Sequence, residues 1–432
     1  MRAKFFRLRC LWLLFALVLS TLGRAQARDA ASVGSRPEVL APSYILMDVD
    51  SGRVLAARAE HTRRYPASTT KTMTALLAIE QGNLDRVVTI GPNPPKTGES
   101  SAYLLQGETF TLYELLEAAL IKSANDSCVA IAEAVSGTVP QFVALMNKKA
   151  KEVGAKDTHF VNPHGLHDPN HYTTAYDLAL IGRAALKYPV FNEIIAQKRV
   201  TMHGNAKMKA DREFVNHNRL LLRWAACDGV KTGYTRQAGR CLIASATRVD
   251  PSTHRPWRLL CVVLHAPDSW KDSRHLLEWG FSHYSPVTVA QRDQVLAKIK
   301  VSGGASLAHA VAVKEVRVPL LRGERAVLTT QVHPLALAAP VQKSQTVAQL
   351  EWSLNGRKFG AVPLVAQKTV EKSLMARVVP SAVPSFSLAH WSLYVCASLG
   401  VLLLALGMKV RSHERRRERA RRQRRAASRS IT

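Results

Sequence analysis

The order in which strand-type and helix-type periodicities follow one another most constrains this chain. "SYILMDVDSGRVLAARA" alternates apolar and polar residues on both sides of Asp50-Ser51-Gly52 and reads as a hairpin. Helical periodicity then runs over 68–81, 112–122, 127–135, 140–153 and 175–187, with Gly82, Gly137 and Gly154 where C-caps sit. Strand patterns return at "DGVKTG", "GRCLIASATRV" and "WRLLCVVLHA", and "SWKDSRHLLEWGFSHY" is again helical. Two strands, many helices, then three strands and a helix imply an α+β fold, an antiparallel sheet interrupted by an all-helical insertion.

Beyond Tyr284 the character changes to short β-branched runs: "VLAKIKV", "AVAVKEVRVPL", "AVLTTQV", "TVAQLEWSL" and "AVPLVA". Asn355-Gly356 sits between the last two as a hairpin turn. These runs read as a small all-β domain over 287–368, following a first domain over 28–286. Pro380 and Pro384 punctuate a linker over 369–387.

Both ends carry apolar segments. Arg2, Lys4, Arg7 and Arg9 precede an uncharged stretch from Cys10 to Gly23, with Ala25-Gln26-Ala27 behind it. That is the pattern of a secretory signal peptide, with cleavage expected after Ala27. At the other end, 388–408 is a run of 21 mostly apolar residues, which as a helix covers ~30 Å, the hydrocarbon thickness. The tail over 409–432 has eleven Lys or Arg against two Glu. By the positive-inside bias it is expected to stay cytoplasmic on anionic lipid, with everything between the two apolar segments outside, in the periplasm. Nucleic acid is not the expected partner, because a tethered tail has no folded reading motif.

The formal net charge of +28 divides into +5 before Arg28, +9 after Met408 and +14 in the exported part, a basic balance that draws a domain toward anionic envelope polymers. Cys128, Cys227, Cys241 and Cys261 lie in that part, where a disulfide is allowed and buried free thiols are the alternative. None has metal-ligand spacing, and no Cys heads an apolar helix where its pKa would fall.

Three short motifs follow in fixed order. In "YPASTTKTMTALLAIEQG", Ser68 starts an apolar-periodic helix and Lys71 lies one turn on, so hydroxyl and amine share a face. Serine needs a base beside it, and a lysine serves only if its pKa falls from ~10.4 to near 7, at a cost of roughly 4 kcal/mol. In "AALIKSANDSCVAIAEAVSG", Ser123 and Asn125 fall between two helical patterns, able to hold a substrate amide and relay a proton, or simply to cap the next helix. In "CDGVKTGYTRQAGRCLIASA", Lys231 and Thr232 sit on a strand where they can bind a carboxylate, and Gly233 lets a substrate backbone approach the strand edge. A second Lys-Thr-Gly at Lys96 follows three prolines within four residues, in a loop where no strand can pair, and reads as a decoy.

With these motifs the chain resembles the penicillin-binding protein and serine β-lactamase superfamily, whose S-x-x-K, S-x-N and K-T-G set they match. More narrowly it is similar to the low-molecular-mass D-alanyl-D-alanine carboxypeptidases, from about Tyr44 to Tyr284, through stretches such as "PASTTKTMTAL" and "HFVNPHGLHDPNHYTTAYDLALIGRAAL". "APVQKSQTVAQLEW" is similar to that family's C-terminal domain. The resemblance implies a β-lactamase/transpeptidase-like sheet and hydrolysis of the terminal D-alanine from peptidoglycan stem pentapeptides. Ser68 would attack the carbonyl between the two D-alanines while Lys71 accepts its proton. Ser123 and Asn125 would line the cleft, Lys231 and Thr232 would hold the terminal carboxylate, and the backbone N–H groups of Ser68 and Tyr234 would form the oxyanion hole. β-Lactams would acylate Ser68, and no cofactor or metal is implied. Two residues depart from the usual pattern: Ala124 stands where glycine is common and Tyr234 where histidine is common.

His159, His164, His167 and His171 invite a metal reading, but their Pro-rich, Gly-containing loop offers no helical i, i+4 register, and no metal site is expected. Other readings left open are a D,D-endopeptidase acting on cross-links, a β-lactamase, a non-catalytic envelope-binding homologue and a tethered protein acting through its basic tail.

Overall fold

The structure, a computed structural model, describes residues 36–205, 207, 209–322, 327–374 and 399. The expected signal peptide and basic tail lie outside those residues, as does the expected span at 388–408 apart from Leu399. Among the described residues no single helix is long and apolar enough to cross a membrane. The described residues of Met1–Ala297, His309–Leu335 and Thr346–Val365 form one compact unit, and those of Lys298–Ala308, Ala336–Gln345 and Ala366–Thr432 another.

The strand patterns on either side of the helical block meet in one sheet. β1 (Ser43–Asp48) and β2 (Val54–Arg58) pair around the turn at Gly52, whose φ of 76° suits glycine. Two short hairpins lie farther along the chain, β3 (Val87–Thr89) with β4 (Thr109–Thr111) and β5 (Arg199–Met202) with β6 (Arg212–Val215). β7 (Cys227–Thr235), β8 (Gly239–Val249) and β9 (Pro256–Ala266) complete an antiparallel sheet in the order β2-β1-β9-β8-β7, which leaves β7 on an edge. The helices are α1 (Lys71–Gln81), α2 (Leu112–Glu117), α3 (Asn125–Ser136), α4 (Val139–Glu152), α5 (Ala175–Ala185), α6 (Pro189–Ala196), α7 (Arg219–Arg223) and α8 (Ser269–His283).

Both faces of this sheet are covered. Ile45, Met47, Cys241, Ile243, Leu260 and Val262 join a core with α1 and α5, while Tyr44, Leu46, Leu242, Ala244, Leu259 and Val263 join a second core with α8. The period of two is therefore kept, but it alternates between two apolar cores rather than between core and water. Every residue of β1 is buried for that reason. Each aliphatic side chain so placed contributes about 1.5–3 kcal/mol.

Two expectations need correction. The insertion is not all-helical, because it contains β3–β4 and β5–β6, whose strands of three or four residues are too short to register as periodic patterns. Gly82 is the C-cap of α1 as expected, with φ −100°, and close approach is what requires glycine there, since a Cβ would stand 2.4 Å from the Ala78 carbonyl oxygen. The run 310–320 is two strands in different sheets, broken at Lys314-Glu315: β12 (Ala308–Ala312) and β13 (Val316–Leu321).

The remaining strands are β10 (Tyr284–Ala290), which pairs with β13, and β11 (Val295–Ile299), β14 (Leu328–Pro334), β15 (Thr346–Leu354) and β16 (Arg357–Ala366), in a second sheet ordered β11-β12-β16-β15-β14. β15 and β16 turn at Asn355 and Gly356, both with positive φ (50° and 77°), as a tight two-residue hairpin requires. In the smaller unit, bridges Ser302–Ala338, Gly304–Lys372 and Val341–Val370 join its three segments. Cys128, Cys227, Cys241 and Cys261 are free and buried, Cys128 and Cys241 in one core of the main sheet and Cys227 and Cys261 in the other.

Candidate active site

Ser68 lies in a 3-10 turn, Ala67–Thr70, that runs directly into α1, so Lys71 is the first residue of the α-helix. Neither this turn nor α1 is capped by a side chain, which frees the hydroxyl and the amine for other work. Lys71 Nζ lies 2.9 Å from Ser68 Oγ, 2.7 Å from Asn125 Oδ1 and 2.8 Å from the His164 carbonyl oxygen. The amide orientation is fixed on its far side, where Asn125 Nδ2 donates to the Gly98 carbonyl at 2.8 Å. Asn125 Oδ1 and the His164 carbonyl can only accept. A neutral Lys71 therefore gives both its N–H groups to them and turns its lone pair toward Ser68.

Ser123 reaches the same place by a local irregularity. After α2 the backbone widens into a π turn, Ala118–Lys122, and Ser123 follows in the left-handed conformation with φ 66°. Asn125 begins α3 without capping it, because the N-cap is Ala124 and no side chain bonds the helix end there. Capping, the alternative reading of Ser123 and Asn125, is thus not what their side chains do. Lys231 Nζ donates to Ser123 Oγ at 3.0 Å and to the Thr232 carbonyl at 3.0 Å. On the same strand, a Cβ on Gly233 would stand 3.0 Å from the backbone nitrogen of Ser68. Edge strand β7 thus packs its glycine onto the serine turn, with exposed Tyr234 next in line.

A family profile described as D-alanyl-D-alanine carboxypeptidase matches residues 30–268, more than half of the chain. The chain belongs to the D-alanyl-D-alanine carboxypeptidase family. A second profile, described as penicillin-binding protein 5, C-terminal domain, matches residues 284–372. The D-alanyl-D-alanine carboxypeptidase DacF of Bacillus subtilis is 34% identical over 378 residues, covering 84% of this chain and 94% of that one. DacC of Escherichia coli is 34% identical over 385 residues, covering 83% and 90%. Among solved structures, penicillin-binding protein 5 from Haemophilus influenzae superposes with a TM-score of 0.63 at 31% identity, covering 78% of this chain and all of that one. The fold is thus that of the penicillin-binding proteins, mixed helix and sheet followed by an all-β domain.

Burial shifts both lysines of the cleft. Lys71 is wholly buried, and loss of hydration lowers its pKa to about 8, against the opposing pull of Cys128, Asp126 and Glu99. Burial also holds Lys231 well below the ordinary lysine value, and the charge of Lys71 pushes it the same way. The two ammonium forms therefore oppose each other across the cleft.

The histidine-rich loop packs against the Ser68 turn and the start of α1. Pro163 and His164 present their carbonyls to Thr74 Oγ1 and Lys71 Nζ. Gly165, at φ 90°, passes so close to Ala67 that a Cβ would overlap its carbonyl oxygen. His171 accepts from the Val161 N–H through Nδ1, so its Nε2 carries the proton and donates to Thr70 Oγ1 at 2.8 Å. Burial lowers His171 to about 4 and His164 to about 3, which keeps both neutral.

Several working parts were not legible in the residue types. The carbonyls of His164 and Gly98 act through backbone oxygen, which every residue has. The Lys96 copy of Lys-Thr-Gly is half a decoy, for Lys96 is exposed on a 3-10 turn, Pro94–Lys96, while its Gly98 anchors Asn125. Cys128 corrects another expectation: it lies in the first turn of α3 near Lys71, yet burial raises its thiol to about 11, so it stays inert.

Proposed function

We infer that the chain is a serine-type D-alanyl-D-alanine carboxypeptidase that removes the terminal D-alanine from peptidoglycan stem pentapeptides and is acylated on Ser68 by β-lactams. The observation that carries this reading is the disposition of the Lys71 amine, with two acceptor oxygens on its N–H groups and Ser68 Oγ at 2.9 Å. Ser68 Oγ adds to the carbonyl carbon between the two D-alanines and its proton passes to Lys71 Nζ. The backbone N–H groups of Ser68 and Tyr234 receive the developing oxyanion, where one donor contributes about 3 kcal/mol of transition-state stabilisation. The proton returns to the leaving nitrogen through Ser123 Oγ, D-alanine departs, and water hydrolyses the acyl-enzyme.

A neutral Lys71 removes one of the charges that oppose a Lys231 ammonium, the group that binds the terminal carboxylate with Thr232 Oγ1 beside it. Asn125 holds the substrate amide. The apolar segments at 1–27 and 388–408 and the cationic tail at 409–432 complete the proposal: export, a single membrane anchor, catalysis in the periplasm and a tail on anionic lipid.

The test is D-alanine release from a stem pentapeptide by wild type and Ser68→Ala. Release by wild type alone is expected. No release by folded wild type, with cleavage of cross-linked dimers instead, overturns the carboxypeptidase reading in favour of a D,D-endopeptidase.

A further inference from the structure

One guanidinium beside the cleft packs against two aromatic rings. Arg240 on β8 is the cross-strand partner of Tyr234 on β7. Its guanidinium carbon lies 5.9 Å from the Tyr234 ring centre and 5.6 Å from that of Trp270 in α8. Arg219 covers Trp270 as well, at 4.7 Å. Both Arg240 and Tyr234 are exposed. The carboxylates of this region are engaged elsewhere: Glu278 with Arg248 and Arg274, Asp272 with the backbone of Leu40 and Ala41, and Asp268 as the cap of α8. Two ring faces, at 5.9 and 5.6 Å, restrain the guanidinium and leave its exposed N–H groups as a planar fork, the geometry that takes a carboxylate with two bonds.

Strand polarity says what reaches that fork. With the terminal carboxylate at Lys231 and Thr232 and the scissile carbonyl level with Gly233 and Tyr234, a substrate strand laid on edge strand β7 continues past Tyr234 toward Thr235 and Arg236. At ~3.3 Å per residue, the next two or three residues of the acyl donor pass the end of the strand where Arg240 is displayed. We propose that Arg240, packed against Tyr234 and Trp270, binds a free carboxylate on the stem peptide upstream of the D-alanyl-D-alanine pair, so that the enzyme selects acidic stem peptides over amidated ones. This rests on the carboxypeptidase reading and names the substrate class within it.

The experiment measures kcat/KM for D-alanine release from two pentapeptides that differ only in whether the upstream carboxylates are free or amidated, with wild type, Arg240→Gln and Arg240→Lys of the full chain. Wild type is expected to prefer the free acid about tenfold, the scale of one charge-assisted hydrogen-bonded pair. Arg240→Gln loses that preference by a rise in KM for the acidic peptide alone, and Arg240→Lys, which keeps the charge without the planar fork, recovers part of it. The preference shrinks as salt is added. Equal kcat/KM for the two peptides in wild type, or an unchanged preference in Arg240→Gln, overturns the assignment. Release from neither peptide by folded wild type overturns the carboxypeptidase reading beneath it.

Discussion

A Cβ on Gly233 would stand 3.0 Å from the backbone nitrogen of Ser68 and 3.0 Å from the Pro66 carbonyl oxygen. All of these atoms are backbone, so no flexible side chain can move aside. Gly233→Ala is expected to push β7 off the serine turn, lowering stability by about 1–3 kcal/mol and the rate of β-lactam acylation by at least tenfold. Thermal melting and the acylation rate, measured together, check this; normal acylation in a stable variant would contradict it.

Asn125 serves Lys71 as a pure acceptor. In Asn125→Asp a carboxylate replaces the amide oxygen 2.7 Å from Nζ, which favours the ammonium form and raises the Lys71 pKa. Activity at neutral pH is expected to fall by one to two orders of magnitude, on the scale of a lost charge-coupled hydrogen bond, and to recover partly at high pH. A kcat/KM against pH profile of this variant that overlays the wild type would refute the role.

The pH dependence of the wild type follows from the same amine. With Lys71 lowered by burial to about 8, kcat/KM is expected to rise as pH increases through that value, because only the free amine accepts the Ser68 proton. A profile flat from pH 6 to 9 would point to a different base.

Stability in acid depends on the histidine-rich loop. His171 is lowered by burial to about 4 from an ordinary 6.5. Between those values the unfolded chain binds a proton that the folded chain does not, so stability falls as pH drops from 6.5 toward 4. The loss from this residue is on the order of 3 kcal/mol. His171→Gln should be less stable at neutral pH and show a shallower decline in that window, as read by denaturant melts at stepped pH.

Thiol chemistry offers a final check. Burial raises Cys128, Cys227 and Cys241 to about 11 and Cys261 to about 12. These four are expected to resist alkylation in the native protein and to react fully once it is unfolded. Peptide mapping of a disulfide among them would contradict the structure.

The sequence by itself determined the parts whose signal is local. Strand β8 and helix α8 end within a residue of their predicted limits, because an uninterrupted apolar period and an Asp or Gly at the ends leave little choice. The hairpins at Gly52 and Asn355-Gly356 were equally legible, since positive φ selects few residue types. Ser68, Lys71, Ser123, Asn125 and Lys231 could be singled out as candidates because the chemistry proposed for them resides in side chains and their order is fixed along the chain. Tertiary structure alone decided how the Lys71 pKa is lowered. Its burial, the carbonyls of His164 and Gly98, the π turn before Ser123 and the approach of Gly233 to Ser68 bring together segments up to about 165 residues apart. Backbone oxygens and close contacts leave no mark in residue type, and loss of hydration belongs to the packed chain rather than to any residue in it.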